Sequence, residues 1–296
     1  MLLLIEGIFV PHVTPFDDAE EINEEALREL VEHFINSGIY GLVTLGSNGE
    51  FPYLSYEERK RVLKIVVDQT NGRVPVIGGT AFSSTKETIA LTKEAWDIGV
   101  DAVIIAPPYY FKPSPRELYY HYAAIIEATD VPILIYNVPK FTGYNIPLEV
   151  INRLAEEYSQ IIGIKDSSGL ISRIGELIRT LGDKISILAG TGDLIYPALS
   201  LGAHGAVVAV ANVAPRLCVD LYSAFKEKKF ERAKRIQLKL NYLNEVVVKR
   251  YNQLSAIKES MNMLGLNVGL PRSPILPLSE EELHEVEKVL EDIGLI

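Results

Sequence analysis

One lysine, Lys165, stands where a reactive amine is useful. It follows the apolar run Ile161–Ile164, which is typical of a buried parallel strand, and an aspartate and two serines come after it. A largely buried lysine loses water that stabilises its ammonium form, and the resulting neutral amine can attack a carbonyl carbon and form a Schiff base. For an isolated lysine, a strand end at the surface is the commoner explanation. The other motifs of the chain favour the reactive amine.

A glycine-containing loop and a tyrosine supply groups that such chemistry needs. The glycines of Gly46–Glu50 let backbone N–H groups converge on an anion, while Ser47 and Asn48 add side-chain donors. A small carboxylate would fit this loop; the alternative is a plain connection between a strand and a helix. Tyr136 ends another apolar run and could carry a proton to or from a substrate. The alternative for Tyr136 is an aromatic side chain that only fills space.

A third motif is a stiff aromatic loop, Pro107–Pro113, in which prolines flank Tyr109 and Tyr110. Exposed aromatic loops of this kind serve as subunit contacts or as lids over a site. The alternative is ordinary packing of the loop on the rest of the chain.

Eight short apolar runs alternate with amphipathic stretches from residue 7 to about residue 230. Each of the motifs above lies at the end of one of these runs. Eight such units predict an α/β fold, a (β/α)8 TIM barrel. The alternative is a doubly wound open sheet, but that fold concentrates functional residues near one switch point, whereas polar residues here follow many strands. The predicted strands are Gly7–Thr14, Gly41–Gly46, Val74–Gly79, Ala102–Pro107, Pro132–Asn137, Ile161–Lys165, Ile185–Gly190 and Ala206–Asn212.

After residue 230 the pattern becomes helical, over Glu231–Leu264 and Ser279–Ile293, with a segment rich in glycine and proline between them. We therefore predict a barrel over residues 1–230 and a C-terminal helical extension over residues 231–296. The extension is expected to pack on the barrel, so that the chain forms a single domain overall.

Composition excludes several classes of protein. The net charge is −10 and no basic stripe offsets it, so we expect no nucleic-acid partner. The single cysteine, Cys218, fits a reducing compartment, residues 1–5 lack the basic segment of a signal peptide, and no apolar run reaches membrane-spanning length. We therefore expect a cytoplasmic protein that is not bound to a membrane. The histidines are far apart and no nucleotide-binding fingerprint is present, so we expect no metal and no cofactor.

Together the motifs resemble those of the dihydrodipicolinate synthase / N-acetylneuraminate lyase family of class I aldolases. The resemblance runs from Val13–Phe16 through the Gly46–Glu50 loop, Pro-Tyr-Tyr, Tyr-Asn-Val-Pro and Ile-Lys-Asp to Pro271-Arg272. It implies a carbon–carbon lyase with a (β/α)8 barrel that forms or consumes pyruvate without a cofactor. It also implies a homo-oligomer, a dimer or a homotetramer.

The resemblance assigns catalytic roles to four residues. Lys165 would form the Schiff base with pyruvate, and Tyr136 would be the proton donor. The barrel would place these two residues on adjacent strands. Ser47 would keep a relay hydroxyl where the family usually has threonine, and Tyr110 would enter the relay from a neighbouring subunit.

The expected substrate-binding residues depart in part from the family pattern. Asn48 would bind the keto-acid carboxylate, and Val207 matches a main-chain contact to pyruvate. In the synthases an arginine, two residues after the proline of Tyr-Asn-Val-Pro, grips the carboxylate of aspartate semialdehyde, but that position is Phe141 here. A phenyl ring cannot replace a bidentate charged fork. Lys140 is adjacent, but neighbouring side chains generally point in different directions, so we do not expect it to compensate.

The substrate prediction follows from this departure. Phe141 favours a neutral aldehyde, whose hydroxyl groups could bind Ser167, Ser168, Thr191 and Asp193. The pair Thr142-Gly143 also resembles the 2-keto-3-deoxygluconate aldolases. We therefore predict a pyruvate-dependent aldolase for a 2-keto-3-deoxy sugar acid. One alternative is a 4-hydroxy-tetrahydrodipicolinate synthase, which condenses pyruvate with aspartate semialdehyde. Another is a relative that binds pyruvate without catalysis.

Overall fold

The computed structural model describes residues 5–296, in which eight parallel strands close into a barrel. Each strand pairs with the next one along the chain, and β8 pairs with β1, so the predicted (β/α)8 barrel is confirmed. Apart from Ile5, the N-terminal apolar segment lies outside the described residues. The strands are β1 Gly7–Pro11, β2 Gly41–Thr44, β3 Val76–Gly79, β4 Ala102–Ile105, β5 Ile133–Asn137, β6 Ile161–Asp166, β7 Ser186–Ala189 and β8 Gly205–Val207.

The strands form because both faces of this sheet are covered. Every strand residue is buried, which explains why the strands read as continuous apolar runs. Helices cover the outer face, and several begin at the predicted caps; Ser55 and Glu58, for example, form a complete capping box. The helices are α1 Glu24–Asn36, α2 Tyr56–Thr70, α3 Thr85–Ile98, α4 Pro115–Thr129, α5 Pro139–Thr142, α6 Leu148–Glu157, α7 Ile171–Leu181, α8 Ile195–Leu201, α9 Pro215–Lys226, α10 Phe230–Asn244, α11 Gln253–Met263 and α12 Glu280–Ile293.

The last predicted strand, Ala206–Asn212, is wrong in its second half. Strand β8 ends at Val207, and Ala209–Asn212 forms a short 3-10 turn. The Asn212 side chain explains the turn, because its Oδ1 accepts from the Val13 N–H at 3.0 Å and its Nδ2 donates to the Pro11 carbonyl at 3.0 Å. The turn therefore closes the barrel against β1 instead of extending the sheet.

The C-terminal extension is helical, as predicted, but its first helical pattern is interrupted. Between α10 and α11, Glu245–Arg250 forms a π-helical turn, and Tyr251 is extended. Asn252 then restarts the helix, because its side chain accepts from the N–H groups of Leu254 and Ser255. None of the helices within residues 5–296 combines the length and the apolar composition that a membrane span requires.

Candidate active site

Lys165 and Tyr136 face each other at the end of the barrel, as predicted. They are register partners on β6 and β5, and the Lys165 side chain is nearly buried, with 4% of its residue surface exposed. Its Nζ lies 4.1 Å from the centroid of the Tyr136 ring. An amine and a phenol are thus held side by side on two hydrogen-bonded strands, at the end of a barrel where catalytic groups of this fold are found.

Ser47 brings a hydroxyl group to the same place. Its Oγ lies 3.4 Å from the Tyr136 phenol oxygen, which is at the long end of hydrogen-bonding distance. The loop can approach β3 this closely because Gly79 has no side chain; a Cβ there would lie 2.2 Å from the Leu45 carbonyl oxygen. The structure therefore brings together three of the four predicted catalytic residues.

The loop after β2 also offers backbone donors. Among the described residues, the N–H groups of Ser47 and Asn48 have no hydrogen-bond partner, and both residues border the pocket in front of Lys165. The Asn48 side chain is engaged elsewhere, since its Nδ2 donates to the Pro11 carbonyl and its Oδ1 accepts from Gln253. A carboxylate at this loop would thus meet main-chain donors, while the Asn48 side chain predicted to bind it already has partners at both its nitrogen and its oxygen.

A polar network holds the strand ends from behind. The buried Asp166 carboxylate accepts from Arg173 Nε and Asn137 Nδ2, both at 2.8 Å, and from the Ser168 N–H at 3.0 Å. Arg173 also donates to the Ile146 carbonyl at 2.6 Å. These bonds fix the ends of β5 and β6, which carry Tyr136 and Lys165.

Lys165 opens into a pocket of about 150 Å³ with two distinct sides. A second cavity, of about 480 Å³, adjoins it, and both cavities are lined by Ser47, Val138, Lys140, Phe141, Lys249 and Gln253. We call the side that carries Ser47, Tyr136 and Lys165 the strand wall, and the side formed by Asn244, Val248, Lys249 and Gln253 the helical wall.

Lys140 and Phe141 both line this pocket, contrary to the expectation that adjacent side chains would diverge. They lie on the single-turn helix α5, and Phe141 is 52% exposed. The Lys140 ammonium donates to the Val248 carbonyl and to Gln253 Oε1, each at 3.0 Å. Burial lowers the pKa of Lys140, and the nearby Tyr136 phenol partly opposes this. Lys140 thus spans from the strand side of the pocket to the helical wall.

The predicted hydroxyl-binding residues are only partly in place. Thr191 lines the pocket, and its Oγ1 is buried without a partner among the described residues. Asp193 is turned aside and pairs with Lys249 at 2.7 Å. Asp193 is therefore not presented to the pocket, although its partner Lys249 is.

A buried ion pair joins the extension to the loop after β2. Lys258 Nζ lies 2.7 Å from Glu50 Oε1, and neither side chain is exposed. Glu50 Oε2 accepts from the Arg272 N–H at 2.9 Å, and Lys258 also donates to the Leu270 carbonyl. Burial lowers the pKa of Lys258 to about 8, with Glu50 opposing the shift. This pair ties Gly46–Glu50 to α11.

Two predicted site residues lie away from the pocket in this chain. Tyr110 is 90% exposed, with a positive φ of 76°, and its ring packs edge-on against the exposed Phe111. Val207 is completely buried in β8 and does not border the pocket. Neither observation tests the role predicted for these residues, one of which depends on a second subunit.

Sequence reasoning missed the helical wall. Its residues lie between Asn244 and Gln253, inside a stretch for which the sequence pattern predicts one continuous helix. The available signal was Asn252, a good N-cap residue in the middle of an apparently helical stretch. Recognising a new helix start there would have placed Gln253 on the first turn of a separate helix.

Comparison with known proteins agrees with the fold. The model of the dihydrodipicolinate synthetase family matches residues 4–293. A 4-hydroxy-tetrahydrodipicolinate synthase of Methanopyrus kandleri is 38% identical over 293 residues, covering 99% of this chain and 97% of that protein. An uncharacterised DapA-like lyase of Pyrobaculum aerophilum is 35% identical over 300 residues, covering 99% of each.

A solved structure gives the same result. YagE, a prophage protein of the dihydrodipicolinic acid synthase family from E. coli K12, crystallised in complex with pyruvate, superposes with a TM-score of 0.96. The two chains are 29% identical, and the match covers 99% of this chain and 100% of the other. The chain therefore belongs to the dihydrodipicolinate synthetase family, whose members are carbon–carbon lyases that work through a Schiff base.

Proposed function

We propose that this chain condenses pyruvate with aspartate semialdehyde through a Schiff base on Lys165, the activity of a 4-hydroxy-tetrahydrodipicolinate synthase. The observation that carries the proposal is the nearly buried Lys165 amine, held 4.1 Å from the ring of Tyr136 in a pocket with free backbone donors. The names of relatives 37–39% identical over almost their whole length support the choice of aldehyde.

The reaction begins at the keto carbon of pyruvate. The Lys165 amine attacks this carbon, and loss of water gives an imine, while the N–H groups of Ser47 and Asn48 hold the carboxylate. Tyr136 becomes a phenolate by donating its proton to the hydroxyl group that leaves as water, and it then removes a proton from the methyl group to give an enamine. Its carbon attacks the aldehyde, whose oxygen takes the proton back from Tyr136. The amino group of the joined aspartate semialdehyde then displaces Lys165 from the imine and closes the ring.

This proposal reverses the substrate preference based on Phe141. That prediction rested on the missing arginine and kept the synthase as its alternative, and relatives named as synthases match the chain over almost its whole length. The 2-keto-3-deoxy-sugar-acid aldolase remains a second candidate. It is favoured by Phe141 itself, which puts a half-exposed phenyl ring in both cavities.

Two measurements test the proposal. Borohydride reduction in the presence of pyruvate should add one pyruvate unit to Lys165, located by peptide mass spectrometry, and should leave Lys165→Ala unlabelled. Wild-type protein without this adduct would refute the mechanism. Rates with aspartate semialdehyde and glyceraldehyde then decide the substrate, and a preference for glyceraldehyde would favour the sugar-acid aldolase.

Tyr110 is proposed to complete the site of a neighbouring subunit in a homo-oligomer. Support comes from its exposure on a proline-flanked loop beside Phe111, because two exposed aromatic rings together are typical of interfaces. Light scattering should give a dimer or tetramer, and Tyr110→Phe should lower turnover without dissociating it. A fully active monomer would contradict this role.

A further inference from the structure

The Lys140 ammonium lacks an anionic partner. Its two hydrogen bonds go to neutral oxygens, the Val248 carbonyl and Gln253 Oε1, and no carboxylate within residues 5–296 lies within 4.0 Å of it. An ammonium group has three donors, so one remains for a ligand. Lys140 borders both cavities.

The other cation at the pocket is already compensated. Lys249 pairs with Asp193 at 2.7 Å, so an incoming anion would compete with an existing carboxylate. The two lysines therefore differ in what they offer, although both line the same pocket. Of these two lysines, which both also border the larger cavity, Lys140 is the one without a carboxylate within 4.0 Å among residues 5–296.

Lys140 is also held in position. Gln253 accepts from Lys140 through Oε1 and donates through Nε2 to Asn48 Oδ1 at 2.6 Å. Asn48 in turn is fixed by the Pro11 carbonyl. This chain of bonds connects the lysine to the loop that carries Ser47 and Asn48, so the lysine is held in position before any ligand arrives.

We propose that Lys140 binds the carboxylate of the aldehyde substrate and thereby replaces the arginine that is absent at the position of Phe141. The inference rests on the proposed function and deepens it, because it restricts the second substrate to aldehydes that carry an anionic group. A single ammonium contact is less directional than a guanidinium fork, so selectivity should follow the presence of the charge more than its geometry.

The experiment compares two four-carbon aldehydes, succinate semialdehyde and n-butyraldehyde, alongside aspartate semialdehyde. Pyruvate consumption is measured in wild type, Lys140→Met and Lys140→Arg. In Lys140→Met, KM for the two carboxylate-bearing aldehydes should rise about ten- to a hundredfold, the scale of a hydrogen bond to a charged group. The constants for n-butyraldehyde and pyruvate should stay the same. Lys140→Arg should recover most of the loss.

Control variants separate this effect from others. Lys184→Met removes an exposed lysine that pairs with Glu156 at 3.5 Å, and it should leave every constant unchanged. Thermal melts identify any variant that fails to fold, in which case Lys140→Arg and Lys140→Gln carry the comparison. Lys249→Met tests the competing lysine, and a selective loss there in place of Lys140→Met would overturn the inference.

The remaining outcomes are also decisive. An equal rise in KM for n-butyraldehyde, no rise at all, or loss of borohydride trapping at Lys165 in Lys140→Met would overturn the role of Lys140. A wild-type preference for n-butyraldehyde over succinate semialdehyde would do the same while leaving the Schiff-base mechanism intact. Failure of wild-type trapping would instead refute the proposed function, so the two failures are distinguishable.

Discussion

The two walls of the pocket are held by buried ion pairs that differ in how many other donors support them. Behind the strand wall, Asp166 has three donors besides Arg173: Asn137 Nδ2 and the N–H and hydroxyl of Ser168. Behind the loop that meets the helical wall, the partners of Glu50 among residues 5–296 are Lys258 and a single further donor, the Arg272 N–H. If its cation is removed, the Asp166 carboxylate keeps three hydrogen-bond donors, whereas the Glu50 carboxylate keeps one.

The two walls also differ in the roles proposed for them: the strand wall carries the proposed chemistry, and the helical wall holds Lys140, the proposed selector of the aldehyde. The strand wall carries the amine and the phenol on two paired strands, so its geometry follows from β-sheet register. The helical wall comes from a π-helical turn and the first turn of α11, and it meets the barrel loop through Gln253 and Lys258. Such irregular segments vary more easily than barrel strands, which suits a wall that selects the substrate.

The largest expected effect follows removal of the phenol from the strand wall. Tyr136→Phe should lower kcat by about 10²–10⁴-fold, the usual contribution of a positioned acid or base, while borohydride trapping of pyruvate on Lys165 remains detectable. Its melting temperature should be close to wild type. Tyr158→Phe, which removes a phenol bonded to Glu127 at 2.8 Å, is the matched control and should turn over normally. Equal activity of the two variants would remove Tyr136 from the mechanism.

The next largest effect is on stability. Lys258→Met leaves Glu50 in a fully buried site with one donor, and it should lower the free energy of unfolding by about 3–5 kcal/mol. Urea titration measures this loss. Adding Glu50→Gln removes the stranded charge, so the double variant should be more stable than Lys258→Met alone. A double variant that is less stable would contradict this account.

Arg173→Met should cost less, because Asp166 keeps three donors. We expect a loss of about 1–3 kcal/mol, at the level of a hydrogen bond to a charged group. Comparison with Lys258→Met under the same urea conditions tests the contrast between the two ion pairs directly. If Arg173→Met were the more damaging change, the number of remaining donors would not be the controlling factor.

The smallest effect concerns a buried histidine outside both walls. Burial lowers the pKa of His121 to about 4, from 6.5 when unfolded. Between these values the unfolded chain binds more protons, so the free energy of unfolding falls as the pH falls. From pH 7 to pH 5, His121→Gln should lose about 2 kcal/mol less than wild type. His284→Gln, at an exposed position, should show the wild-type pH dependence, and an unchanged slope in His121→Gln would contradict the assignment.

The strand wall could be predicted from the sequence because two local patterns define it. Apolar runs located β5 and β6, and parallel order then made Tyr136 and Lys165 neighbours. The side of the pocket around Lys140 could not be predicted in the same way. Its placement depends on the single turn α5 and on acceptors more than 100 residues later, Val248 and Gln253. No local periodicity encodes contacts of that kind.

The bond between Gln253 and Asn48 joins residues 205 positions apart and has a consequence for biosynthesis. A chain emerging from the ribosome acquires all eight strands before α11 exists, and protein synthesis proceeds at about 5–20 residues per second. The nascent barrel therefore exposes its Lys165 side for several seconds without Gln253 or Lys258. The loop that carries Ser47 and Asn48 is made early and is tied to α11 only after the strand wall is complete.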